Sequence, residues 1–78
     1  QEFNKICEAI LLITIWKQAL VIFIILQHDS KVHANRLIGI GLYRAMLMLW
    51  KISSWGKKRL TQGILKVLIK LYGFQIES

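Results

Sequence analysis

The sequence predicts an all-α protein of three helices, the first strongly apolar and the other two amphipathic and basic, in one small helical domain over 1–78. Three observations predict it. No proline occurs among the 78 residues, so long helices are permitted almost everywhere. The run from Ala9 to Leu26 is broken only by Thr14, Lys17 and Gln18 and contains no turn residue. Beyond residue 31 the apolar positions recur at steps of three and four, the spacing of a helix that buries one face. The boundaries fall at roughly 5–27, 31–54 and 58–73.

The first helix is justified by length. Val21-Ile22-Phe23-Ile24-Ile25 is β-branched enough to form a strand. A strand, however, rarely runs for the 18 residues from Ala9 to Leu26 without a turn, whereas a helix of that length is about 27 Å long, close to the hydrocarbon thickness of a bilayer. The 12 Leu, Ile, Val and Phe residues from Ile10 to Leu26 favour insertion by roughly 4–7 kcal/mol, and a central Lys17 costs about 3. Insertion remains favourable by a thin margin, so Lys17 should snorkel, meet a polar partner through the Thr14–Gln18 notch, or mark a contact with another subunit.

The helix ends at Gln27-His28-Asp29-Ser30-Lys31, where Asp29 or Ser30 can accept hydrogen bonds from the free amides of a following helix. In the second helix Ile38, Leu42, Ala45, Leu49 and Ile52 form an apolar stripe, with Arg44, Lys51 and Lys58 recurring every seven residues near the other face. Arg44 cancels most of its insertion energy, so this helix should not span alone. Met46, Met48 and Trp50 flank the stripe, and Gly41 and Ala45 form a small-xxx-small pair that lets another helix approach, with Gly39 widening the groove. Ser53-Ser54-Trp55-Gly56 is a second, weaker break. The third helix sets Leu60, Ile64, Val67, Leu68 and Leu71 against a polar side of Arg59, Gln62, Lys66, Lys70 and Gly73, and Gly73 is a C-cap. Its start carries Lys57-Lys58-Arg59 between Trp55 and Tyr72, a pattern that suits headgroup depth at an anionic leaflet, which is then the cytoplasmic or equivalent internal side if the first helix spans.

Composition points the same way. Hydrophobic residues make up 55% of the chain and charged ones 19%, an apolar excess that so short a domain cannot hide in its own core. Lipid or another chain must cover the remainder. Eleven Lys and Arg against four Asp and Glu give a net charge of +7, which calls for an anionic partner, although a solvated helix face also explains a basic stripe. Because the chain begins at Gln1, the lack of a targeting peptide says nothing of compartment.

Catalytic and metal chemistry find little material. His28 and His33 are five residues apart and do not share a helical face, so with Asp29 and Cys7 they make no metal set, and no cofactor is expected. Gly39-Ile40-Gly41 is not a dinucleotide loop, because Arg44 stands where the third glycine belongs. The acids Glu2, Glu8, Asp29 and Glu77 pair with no nucleophile in any motif, so no enzyme is expected. Cys7, the single cysteine, is an ordinary thiol or an intermolecular bridge.

The stretch Arg44-Ala45-Met46-Leu47 through Trp50, followed by Gly56-Lys57-Lys58 and a basic amphipathic helix, loosely resembles the second half of flavivirus capsid proteins over about a third of the chain. Those are small basic helical dimers with an apolar face toward membrane and a charged face toward RNA. The resemblance implies Arg59, Lys66 and Lys70 as phosphate contacts. The dense Arg/Lys tails and a Gly-Pro before the apolar helix are missing, and the chain is not assigned to that family. In character, though not by motif, it is also similar to cationic helical bacteriocins.

The expectation is therefore a membrane-embedded or membrane-surface protein with a structural or assembly role, in a homo- or hetero-oligomer, binding anionic phospholipid through Arg44, Lys51, Lys57, Lys58, Arg59, Lys66 and Lys70. Trp50, Trp55 and Tyr72 are its interfacial aromatics, and Gly41 and Ala45 its helix-packing pair. The alternatives are a membrane-permeabilising cationic peptide and, as second choice of anionic partner, a basic oligomeric nucleic-acid binder.

Overall fold

The computed structural model describes residues 2–75, and among them the regular structure is all helical. Four helices follow in order: α1 (Glu2–His28), α2 (Ser30–Ala34), α3 (Arg36–Lys51) and α4 (Lys58–Tyr72). Glu77 and the rest of 76–78 lie outside the described residues.

The expectation of three helices is corrected to four, because the stretch 31–54 is not one helix. Asn35 takes an extended conformation (φ −83°, ψ 98°) and its side-chain oxygen accepts from the amides of Leu37 at 3.1 Å and Ile38 at 3.4 Å. It is thus a side-chain N-cap that starts α3 afresh and leaves Ser30–Ala34 as a single short turn of helix. The other punctuation lies where the residues indicate. Asp29 caps α2 by accepting from the Lys31 amide at 2.9 Å. Gly73 ends α4 in the left-handed region at φ 73°, and its amide donates to the Ile69 carbonyl at 2.7 Å.

α1, α3 and α4 share one core. α1 contributes Trp16, Ala19, Phe23 and Leu26, at steps of three, four and three. α3 contributes Leu42, Tyr43, Met46 and Leu49, and α4 contributes Ile64, Leu65 and Leu68 beside the buried Thr61. Both amphipathic stripes are rotated from those read in the sequence. On α3 the expected Leu42 and Leu49 are buried and are joined by Gly39, Tyr43 and Met46, while Ile38, Ala45 and Ile52 are half-buried at the edge. On α4 Thr61 and Leu65 replace Leu60 and Leu71, which are 53% and 40% exposed.

Aromatic groups lock the helices together. Trp16 meets Trp55 edge-on at 5.5 Å, tying α1 to the α3–α4 turn. The Trp55 indole donates to the Thr61 hydroxyl at 2.9 Å, and that hydroxyl donates to the Lys57 carbonyl at 2.8 Å. At the far end Tyr43 donates to the Gln75 carbonyl at 2.7 Å, and Phe74 packs against the Tyr43 ring at 4.9 Å. The short segment after α4 is thereby held against α3.

Candidate membrane-facing surface

α1 is much longer than the helices it packs on. Its 27 residues span about 40 Å, so it alone accounts for the 43 Å long dimension of the molecule. Residues 2–11 are all exposed, and beyond them only one side of the helix reaches the core. The outer surface carries Phe3 at 73% exposure, Ile10 at 58%, Val21 at 57% and Ile24 at 54%, with Ile6, Leu11, Ile13, Ile22 and Ile25 also exposed. Its apolar window is long and apolar enough to cross a membrane, and only 17% of it is buried. The core helix of a water-soluble domain hides most of such a surface; this one does not.

Polar groups on that surface are few. The Thr14 hydroxyl donates back to the Ile10 carbonyl at 2.9 Å, which satisfies its proton within the helix. Lys17 is exposed among Ile10, Ile13, Val21 and Ile24, and a shallow cleft lined by Lys17, Gln18, Val21 and Ile22 lies beside it.

The basic residues lie elsewhere. Arg59, Lys66 and Lys70 are exposed on the side of α4 opposite its core residues, and Arg44 and Lys51 are exposed on the outer side of α3. Lys57 is exposed in the turn and Lys58 half-buried at the start of α4. No side chain caps the free amides at that start, so the positive end of the helix dipole adds to the cluster. Among the described residues Arg36 is the basic side chain that donates a hydrogen bond, to the Tyr72 carbonyl at 3.5 Å, and it also lies 5.4 Å over the Phe74 ring.

The aromatic trio is divided. Trp50 and Trp55 are half-buried at the rim of the core. Tyr72 is half-buried and turned inward, donating its hydroxyl to the His33 carbonyl at 2.8 Å, while burial pushes the phenol's pKa up. The close helix approach is at Gly39, where the Tyr72 ring leaves no room for a Cβ. Gly41 has open space around it and Ala45 is half-buried. From local sequence Gly39 does no more than widen a groove; nothing nearby announces that a ring 33 positions later fills it.

His28 is exposed and His33 half-buried, and both line a cleft of about 430 Å³ between α1, α2 and α4. Among the described residues no three of His, Cys, Asp and Glu are grouped as a metal site would need. Cys7 is a free, exposed thiol on α1. No family model, curated protein or solved structure matches the chain.

Proposed function

We propose that this is a small basic membrane protein with a structural or assembly role. α1 lies in the hydrocarbon layer, and Arg44, Lys51, Lys57, Lys58, Arg59, Lys66 and Lys70 meet anionic phospholipid headgroups at its boundary. The observation that supports this is the uncovered outer surface of α1, which fits lipid and costs free energy in water. The half-buried Trp50 suits the headgroup layer, where an indole keeps its ring apolar and its N–H wet, whereas the Trp55 N–H is given to Thr61. The role requires no catalysis or cofactor.

Vesicle flotation tests it. The purified chain should float with phosphatidylcholine–phosphatidylglycerol vesicles, more weakly with phosphatidylcholine alone, and leave an entrapped dye inside. A chain that stays monomeric and soluble in the absence of lipid overturns the reading. Dye release at low peptide-to-lipid ratio transfers the assignment to a membrane-permeabilising peptide. Binding to nucleic acid that weakens steeply with salt, without flotation, transfers it to a nucleic-acid binder.

A further inference from the structure

The surface of α1 that faces away from the core has a heptad order. Cys7, Ile10, Thr14, Lys17, Val21 and Ile24 follow at steps of three, four, three, four and three, and all six are exposed. Phe3 and His28 extend the line by one step of four at either end and are exposed as well. The core stripe Trp16, Ala19, Phe23 and Leu26 occupies the opposite side, so α3 and α4 do not obstruct this seam.

The spacing reads the same in both directions, which makes the seam complementary to its own reverse. In an antiparallel pair centred between residues 14 and 17, Ile10 of one copy meets Val21 of the other, Cys7 meets Ile24, and Lys17 meets Thr14. We propose that two copies of this chain associate antiparallel through α1 in this register. The occupant of the seam is a second copy because of what happens to Lys17.

In a parallel pair Lys17 faces Lys17, a like-charge contact that is costly in an apolar medium. Alone in lipid it has no partner. In the antiparallel pair each ammonium reaches the other copy's Thr14, whose proton is already given to the Ile10 carbonyl and whose oxygen is left to accept. The two helix dipoles oppose in this arrangement. The nine basic residues from Lys31 to Lys70, against Lys5 before the apolar run, oppose insertion of the two copies in opposite senses, so the pair lies with both helices along the plane of the layer. The proposal deepens the membrane reading and rests on it for the cost of leaving Lys17 uncovered.

The native thiol at Cys7 provides the test. The full-length chain and its Ile24→Cys and Ile22→Cys variants are bound to phosphatidylcholine–phosphatidylglycerol vesicles, scored for flotation, then oxidised with copper phenanthroline and run on a non-reducing gel. Antiparallel pairing brings Cys7 against position 24 of the other copy, so Ile24→Cys should give roughly tenfold more covalent dimer than the native chain. The native chain should stay monomeric, since its two thiols then lie about 25 Å apart along the pair. Ile22→Cys, on the flank at 39% exposure, should also stay monomeric. Dimer from the native chain at the Ile24→Cys level means parallel pairing and overturns the proposal, as does the absence of dimer from Ile24→Cys in vesicles that float. A chain that fails to float yet yields the Ile24→Cys dimer overturns the membrane reading and keeps the pairing.

Discussion

Tyr72 occupies the space that any side chain at Gly39 would need. A Cβ there would lie 2.6 Å from the Tyr72 Cζ and 2.7 Å from Cε2. The ring is not free to swing away, because its hydroxyl is held by the His33 carbonyl at 2.8 Å and Phe74 stacks on it at 5.2 Å. Gly39→Ala should therefore cost about 1–3 kcal/mol, the usual range for overpacking. Gly41→Ala, on the same helix with nothing within 4 Å, should instead stabilise by about 0.5–1 kcal/mol through helix propensity. Thermal unfolding in detergent micelles followed by circular dichroism should separate the two variants in opposite directions.

Alkali should loosen the same contact. Burial raises the Tyr72 pKa above its ordinary value of 10.0, so in the alkaline range the folded chain holds a proton that the unfolded chain releases. That contribution to stability is fully present below about pH 10 and is lost as pH rises through the higher folded-state pKa. Tyr72→Phe removes the titration along with a hydrogen bond worth about 1 kcal/mol. Melting curves between pH 8 and 12 should fall less steeply for Tyr72→Phe than for the native chain, once the loss common to both is subtracted.

Thr61 is fully buried, and its hydroxyl both accepts from Trp55 and donates to the Lys57 carbonyl. Thr61→Val keeps the volume and strands the indole N–H, which should cost about 1–3 kcal/mol. Thr61→Ser keeps the hydroxyl and should lose less. Denaturant midpoints should place Thr61→Ser between the native chain and Thr61→Val.

Membrane binding and folding should respond to different residues. Val21→Lys and Ile24→Lys lie on exposed positions, so the fold should tolerate both, yet each adds about 3 kcal/mol to insertion and together they should abolish flotation. Replacing Lys57, Lys58 and Arg59 by Gln removes about 1 kcal/mol of surface attraction each and should weaken binding to anionic vesicles roughly 100-fold, with little change on phosphatidylcholine. Equal losses on both lipids would show that the cluster acts through the fold.

Much of this architecture is local and so was legible in the residues. The lack of proline, the cap at Asp29 and the left-handed turn at Gly73 act within a few positions of themselves, and the helix boundaries follow from them. Asn35 is also local, but a cap inside an apolar-periodic stretch competes with helix continuation, and the period alone favoured one helix over two. For the candidate surface, the apolar excess of Ala9–Leu26 announced that something would stay uncovered, and the exposed Ile10, Val21 and Ile24 are where it lies.

What the sequence by itself determined is that the chain is helical, that it turns after α1, before α4 and at Gly73, and that it carries more apolar side chains than one small core can hold. Only the tertiary structure decided which face of each helix turns inward. On α3 and α4 the faces that turn inward are also those that give Tyr43, Tyr72 and Trp55 hydrogen-bond acceptors at Gln75, His33 and Thr61. Such partners lie on other segments, so a pattern confined to one helix has no means of registering them.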